Sequence, residues 1–148
     1  MYKLLYIGKK DIKEPDILSS QISKLSGSDI RFVKELDIDS GSQHFFDIEP
    51  IALFIVEESV LGYEDFIKSI RGDELFYYLP IILVLQSDDS KNKKEYYSWG
   101  VNNFLDIDFD NEDLLLTCNL VLKNKIKLDE ITKQLSSVSE LNITKALQ

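Results

Sequence analysis

Short apolar runs alternate along this chain with segments in which apolar residues recur every three or four positions. Residues 3–7, 51–56 and 80–85 are nearly continuous in Leu, Ile, Val, Phe and Tyr, a pattern typical of strands buried on both faces of a parallel sheet. Residues 30–36 and 103–107 are more mixed in polarity, which indicates strands nearer the edges of the sheet. The pattern therefore predicts five strands.

Helix start and stop signals lie between these runs. Pro15 and Asp16 predict the start of a first helix, because proline fits the first helical turn and acids favour a helix N-terminus. Gly27 predicts its end, since glycine readily adopts the left-handed conformation that closes a helix. The other four helices are predicted over residues 42–48, over residues 63–70, from a cap at Asp88 or Asp89 to Trp99, and onwards from a cap at Asp110.

A strand followed by a helix, repeated five times, predicts an α/β domain with a parallel sheet and helices on both faces. The length of 148 residues fits one such domain. We predict a flavodoxin-like (βα)5 doubly wound sheet with the strand order 2-1-3-4-5. In that arrangement a functional site lies at the carboxyl ends of the first and third strands.

Charge and composition narrow the possible functions. The net charge of −9 argues against nucleic-acid binding, which needs a concentrated basic surface. No apolar run approaches the roughly 20 residues of a membrane span, and the first residues lack the layout of a signal peptide. Cys118 is the only cysteine, which fits a reducing compartment and a buried structural thiol. We therefore predict a soluble, cytoplasmic chain.

Two metal-site patterns fail on inspection. His44 is the only histidine, so histidine clusters for zinc are excluded. Asp106, Asp108 and Asp110 have the alternate spacing of a calcium loop, but Asn111 replaces its turn glycine, and the later ligand positions are lost as well. An acid-rich helix start explains these aspartates better, and we predict neither a metal nor a cofactor.

Three segments resemble the receiver domain of bacterial response regulators. Residues 80–85 look like the fourth strand of that family with its leading proline, and residues 88–89 then start a helix. Residues 99–105 (WGVNNFL) resemble its alanine-glycine-alanine-aspartate-aspartate-tyrosine stretch, and residues 109–114 resemble the segment that opens its fifth helix. The resemblance covers residues 2–122 and implies a receiver fold that signals through protein contacts.

The same resemblance implies which positions would carry phosphotransfer chemistry. A working receiver holds magnesium with two acids after its first strand and accepts the phosphoryl group on an aspartate ending its third strand. The acid pair aligns with Gly8 and Lys9, and the phosphoacceptor aligns with Val56 or, if the register slips by one, with Glu57. The switch hydroxyl, the phosphate-binding lysine and the switch aromatic residue align with Leu85, Ile107 and Phe104. Only the aromatic residue is retained, which implies a receiver that cannot be phosphorylated.

The charged residues near this site allow other interpretations. Lys9 and Lys10 follow the first predicted strand and Glu57 ends the third, so all three are expected at one edge of the sheet. Lys9 or Lys10 could form an internal salt bridge with Glu57 that holds a single conformation, or the lysines could bind a small anion or metabolite. A further alternative for the whole domain is an atypical receiver that is phosphorylated on an unusual acceptor.

The sequence after residue 122 predicts a helical extension. Residues 1–122 would form the receiver-like domain, and residues 123–148 continue without glycine or proline as a possible coiled-coil linker. The apolar residues of the extension recur with heptad spacing at Leu128, Ile131, Leu135 and Val138. The alternative is a final helix that folds back on its own domain.

The combined interpretation is a non-enzymatic pseudo-receiver in a bacterial signalling protein. It would act by binding a partner protein or a second copy of itself as a homodimer, and it would bind neither nucleic acid nor membrane. The receiver resemblance implies a pairing surface on the fourth helix, fifth strand and fifth helix, including Phe104 and Ile107. The C-terminal helix would extend that pairing.

Overall fold

The computed structural model describes residues 1–86 and 92–123, together with residues 131, 134 and 135. In this part of the chain five parallel strands form one sheet: β1 (Tyr2–Ile7), β2 (Ile30–Glu35), β3 (Ile51–Glu57), β4 (Ile81–Leu85) and β5 (Asn103–Asp106). Their order across the sheet is β2-β1-β3-β4-β5. The predicted flavodoxin-like order 2-1-3-4-5 is therefore confirmed.

Helices connect the strands and lie on both sides of the sheet. They are α1 (Pro15–Ser26), α2 (Ile38–Ser42) followed by a 3₁₀ helix (Gln43–Phe46), α3 (Tyr63–Arg71), α4 (Lys93–Ser98) and α5, which is described over residues 111–123. The predicted caps Asp88 and Asp89 lie outside the described residues. No helix within the described ranges is long and apolar enough to cross a bilayer.

The second helix begins earlier than the sequence predicted. Its start is the cap residue Asp37, whose carboxylate accepts a hydrogen bond from the backbone N–H of Ser40 at 2.8 Å. Such a cap satisfies an amide that has no partner within the helix. The prediction over residues 42–48 missed this cap, because the helix is too short for any apolar periodicity to mark it.

The core lies on both faces of the sheet, since every residue of β3 and β4 is buried. Successive strand residues point to opposite faces, so two hydrophobic clusters result. One cluster joins alternate strand residues to α1 and α5, through Tyr6, Ile55, Val84, Leu18, Ile22, Leu114 and Cys118. The other joins the remaining strand residues to α3 and α4, through Leu5, Phe54, Leu83, Phe66, Ile67, Ile70 and Tyr96.

The start of α5 is capped as the sequence predicted. The backbone N–H of Asp113 donates to the Asp110 carboxylate at 2.8 Å, and the N–H of Asp110 donates to the Asp113 carboxylate at 3.3 Å. This reciprocal pair is a capping box. Later in α5, Cys118 is completely buried, and that burial raises the pKa of its thiol. The thiol is therefore a structural group, as predicted.

Arg71 connects α3 to the loop before β5. Its Nε and Nη2 donate to the carbonyl of Gly100 at 2.9 and 2.7 Å, and Nη2 also donates to the Asn102 side chain at 2.8 Å. Its Nη1 donates to the carbonyls of Tyr77 and Leu79 at 2.8 and 2.6 Å. One guanidinium thus holds three chain segments together beside the amino ends of β4 and β5.

Candidate functional site

The candidate site lies at the carboxyl ends of the strands. Ile7 pairs with Val56 across β1 and β3, so the residues that follow β1 lie beside Glu57, the last residue of β3. The Lys10 ammonium group donates to the carbonyl of Ile107 at 2.5 Å, so the loop after β1 contacts the loop after β5. The residues aligned with the phosphorylation site therefore gather at one sheet edge: Gly8, Lys9, Val56, Glu57, Leu85 and Ile107.

The Glu57 carboxylate is buried at the centre of this edge, with only 2% of the residue exposed. Its Oε1 accepts hydrogen bonds from the backbone N–H of Lys9 at 3.1 Å and from the Ser59 hydroxyl at 3.4 Å. Its Oε2 accepts from the backbone N–H of Lys10 at 3.0 Å and from the Tyr6 hydroxyl at 2.5 Å. Both carboxylate oxygens are thus satisfied, which is the condition for burying such a group.

Gly8 makes room for that carboxylate. A Cβ atom on Gly8 would lie 2.1 Å from both Cδ and Oε2 of Glu57, far inside contact distance. Gly8 has no positive φ, so the backbone there does not require glycine. The requirement is for space, and it excludes an acidic side chain at position 8 while Glu57 keeps this conformation.

Tyr6 is a member of the site that the sequence prediction missed. It is completely buried in β1, with its ring 6.0 Å from that of Phe32 and 6.2 Å from that of Phe109. Burial, followed by the hydrogen bond to Glu57, raises the pKa of its phenol. The phenol therefore stays protonated and donates to the carboxylate. Its hydroxyl, within the apolar second half of β1, was the only signal in the sequence.

The lysines interact differently from the predicted salt bridge. Among the ion pairs of the described residues none joins Lys9 or Lys10 to Glu57, whose donors are instead the backbone amides of those lysines. The Lys10 side chain turns to Ile107 and lies over the Phe109 ring, 4.1 Å from its centroid. The Lys9 side chain is exposed. The Glu57 carboxylate itself occupies the place beside these amides where an anion could bind.

The two alternatives for the phosphoacceptor position face opposite sides of β3. Val56 is fully buried in the cluster that packs against α3 and α4, and Leu85 belongs to the same cluster. Of Val56 and Glu57, only Glu57 places a polar side chain at the carboxyl ends of the strands. Neither Val56 nor Leu85 offers an oxygen there, whereas phosphoryl transfer and its readout need acceptor and hydroxyl oxygens.

A second carboxylate links the same edge to α4. Glu58 follows β3, and its Oε2 accepts a short hydrogen bond from the Tyr96 hydroxyl, while its Oε1 accepts from the backbone N–H of Gln86 at 3.3 Å. The Tyr63 hydroxyl lies 3.4 Å from that of Tyr96. Burial, and then the bond to Glu58, raise the pKa of Tyr96. No pattern in the sequence predicts that these residues meet.

The surface formed by α4, β5 and α5 carries the predicted interaction residues Phe104 and Ile107. Both are partly buried, and the Phe104 ring packs edge-on against Tyr97 at 4.9 Å. Large exposed apolar side chains extend along this surface at Tyr97, Leu116 and Leu120. A cavity of about 350 Å³ opens on it between Phe104, Leu116 and the acids Asp106, Asp108 and Asp113.

The predicted heptad seam is only partly covered by the structure. Ile131 and Leu135 are helical, and 46% and 63% of their surface is exposed. Leu128 and Val138 lie outside the described residues. The coiled coil therefore remains a prediction.

Comparison with known proteins extends the fold assignment. A search with the sequence finds no matching family model and no matching curated protein. The structure is similar to a response regulator receiver domain protein from Clostridium thermocellum, with 16% identity, a TM-score of 0.63, and coverage of 86% of this chain and 99% of that one. It is also similar to the chemotaxis response regulator CheY4 of Vibrio cholerae, with 17% identity, a TM-score of 0.60, and coverage of 82% and 98%.

A third similar structure is a Francisella response regulator receiver domain, with 16% identity, a TM-score of 0.58, and coverage of 84% of this chain and 99% of that one. These receiver domains are matched over nearly their whole length. The chain therefore has the receiver fold, as the resemblance of residues 2–122 implied. At such low identity the likeness concerns the fold and carries no activity with it.

Proposed function

We propose that this receiver fold is a cytoplasmic, non-enzymatic signalling domain that accepts no phosphoryl group and acts by binding proteins. The single observation that carries the proposal is the Glu57 carboxylate, buried over Gly8 and bonded to Tyr6 and to two backbone amides. A carboxylate of the chain itself thus fills the place where an incoming phosphoryl group would need space and donors.

The metal chemistry of phosphoryl transfer also lacks its ligands. A magnesium ion prefers several oxygen ligands, and carboxylates normally supply its protein share. After β1 this chain has Gly8, with no side chain, and Lys9, with a cationic one. If the Glu57 side chain turned towards solvent, its carboxylate would still be a poor magnesium site, because the neighbouring Lys9 and Lys10 side chains are cationic.

The surface of α4, β5 and α5 supports binding of a protein partner or a second copy. Tyr97, Leu116 and Leu120 are each more than half exposed, and tyrosine in particular is enriched among the residues that dominate binding energy at interfaces. We place the receiver-like domain at residues 1–122 and assign residues 123–148 to an extension that continues the pairing as a coiled coil.

The deciding experiment is an amide NMR titration of the full chain with magnesium and then beryllium fluoride, a mimic of a bound phosphoryl group. We expect no saturable shifts at Gly8, Glu57 or Leu85, and no added phosphoryl mass after treatment with acetyl phosphate. A phosphorylatable receiver domain in the same buffer is the positive control. Saturable shifts at these residues, or one added phosphoryl group, would show a working switch and overturn the proposal.

The variant Glu57→Asp distinguishes between two reasons why the domain would accept no phosphoryl group: the missing aspartate acceptor and the missing metal ligands. It supplies the residue type that receivers phosphorylate and shortens the side chain, but it leaves Gly8 and Lys9 in place of the metal ligands. We expect this variant to stay unphosphorylated as well. If it took up phosphate, the missing acceptor alone would account for the loss.

A further inference from the structure

A group of exposed apolar side chains lies away from the site and away from α4, β5 and α5. Two segments carry it: the 3₁₀ helix and loop before β3, and the loop before β4. Because β3 and β4 are neighbours, both segments lie at the amino end of the strands, opposite the Glu57 carboxylate. The group, here named the amino-end patch, consists of Phe46, Ile48, Leu75, Tyr77 and Tyr78, each between 56% and 102% exposed.

Inward-facing rings next to these residues hold the two segments together. Phe45 is partly buried and its ring lies 5.1 Å from that of Phe76, the partly buried residue between Leu75 and Tyr77. Phe45 also contacts the core ring of Phe54 at 5.5 Å, in an edge-on arrangement. The amino-end patch is therefore presented by anchored segments, which lowers the entropy that a binding partner must overcome.

The size of the patch fits a short segment of a partner. Large side chains bury about 150 Å² or more each, so five of them at these exposures present on the order of 500 Å². That is within the roughly 300–600 Å² of the largest patches on monomeric proteins, which are often functional. It falls short of the roughly 800 Å² that each partner buries in a standard interface between two folded proteins.

The charge around the patch indicates the chemistry of that partner. Residues 43–50 and 72–79 contain four carboxylates, Asp47, Glu49, Asp73 and Glu74, and neither Lys nor Arg. The nearby cations Lys3, Arg31 and Arg71 are held by groups of the chain: Lys3 is fully buried against Asp47, Arg31 pairs with Glu49 at 3.0 Å, and Arg71 donates to backbone carbonyls. Asp47 and Glu49 are thus paired, whereas no ion pair within the described residues involves Asp73 or Glu74. The excess charge beside the patch is therefore acidic and lies at Asp73 and Glu74, which disfavours anionic lipid surfaces and favours cations.

We propose that the amino-end patch docks a short amphipathic segment of a partner protein, with apolar side chains flanked by Lys or Arg. The apolar side chains cover Phe46, Tyr77 and their neighbours, and the basic residues pair with Asp73 and Glu74. Two independent surfaces then exist on one domain. The patch leaves α4, β5 and α5 free for the contacts proposed above.

The test uses a short synthetic amphipathic peptide of Leu and Lys, titrated into the full chain and followed by amide NMR. Saturable shifts are expected in residues 43–50 and 72–79. The double variant Phe46→Ser/Tyr77→Ser is expected to weaken binding about tenfold or more, because truncated aromatic anchors dominate such losses. The matched control Leu36→Ser/Leu61→Ser removes two exposed leucines outside the patch and should bind like the natural chain.

Four outcomes would overturn the docking proposal. They are no saturable shifts in these segments, equal binding of a Leu and Glu peptide, shifts that depend on protein concentration without peptide, and shifts caused by vesicles of phosphatidylcholine and phosphatidylglycerol. The third would assign the patch to a second copy of the chain, and the fourth to a lipid surface. Thermal unfolding of both double variants checks that they fold.

Discussion

The carboxyl carbon of Glu57 lies 2.1 Å from the position that a Cβ atom on Gly8 would take. The two residues are 49 positions apart, yet each sets a condition for the other. The missing side chain at position 8 gives the carboxylate its place, and the buried carboxylate prevents any larger residue there. The pair supports the proposal that this receiver fold accepts no phosphoryl group.

The variant Gly8→Ala tests this relationship. We expect it to lower the free energy of unfolding by about 1–3 kcal/mol, the usual cost of forcing an extra methyl group into a packed place. In the background of Glu57→Ala the same change should cost much less. Urea unfolding of the four proteins in the double-mutant cycle gives the coupling between the two positions. Additive effects would contradict the contact.

The variant Tyr6→Phe tests the phenol that donates to Glu57. It removes the hydrogen bond without changing the packing of the ring, and it leaves a buried carboxylate oxygen with one donor fewer. We expect a loss of about 1–3 kcal/mol of unfolding free energy, measured by urea unfolding at neutral pH. The matched control is Tyr97→Phe, because Tyr97 is 54% exposed and should change stability little.

The raised pKa of Tyr6 also predicts a dependence on alkaline pH. The phenol keeps its proton in the folded chain but loses it near pH 10 in the unfolded chain, so above pH 10 the unfolded state binds fewer protons. The contribution of Tyr6 to stability is therefore complete below pH 10. Above it, the free energy of unfolding should fall by up to about 1.4 kcal/mol for each pH unit.

Urea unfolding between about pH 9 and pH 11 measures this slope. Tyr6→Phe should make the slope shallower than in the natural chain. An identical slope in Tyr6→Phe and the natural chain would show that Tyr6 titrates alike in both states.

Arg71 is expected to stabilise the packing of α3 against the segments that precede β4 and β5. Lysine cannot reproduce a planar fork that reaches Gly100, Leu79 and Asn102 together. Arg71→Lys should therefore lower the free energy of unfolding by about 2–3 kcal/mol. In the control Arg31→Lys only an exposed ion pair with Glu49 changes, so stability should hardly differ. Similar losses in both variants would contradict the assignment.

The proposed coiled coil is tested by the mass of the chain in solution. A chain ending at residue 122 should be monomeric by sedimentation equilibrium, and the full chain dimeric. Ile131→Asp/Leu135→Asp should weaken the dimer, because charges replace two exposed apolar residues of the seam. The control Leu36→Asp/Leu61→Asp should not. If the truncated chain still formed a dimer, the extension would not be needed for dimerisation, and the interface would be assigned to α4, β5 and α5 alone.

Much of the fold could be predicted from the sequence, because local patterns carry it. The continuous apolar runs of β3 and β4 marked strands buried on both faces, and Pro15 and Gly27 marked the ends of α1. The second helix was the exception. Its position depends on the single capping carboxylate of Asp37, and one short polar residue is a weaker signal than a repeating apolar one.

The sequence by itself determined the five parallel strands and the gathering of Gly8, Lys9, Lys10 and Glu57 at one edge, since parallel strands end on the same side. It could not determine which atoms meet there. The tertiary structure decided that Glu57 bonds to backbone amides and to Tyr6, while the lysine side chains turn elsewhere. The physical reason is that a hydrogen bond depends on atomic distance and direction, which are set only when segments about fifty residues apart have packed together.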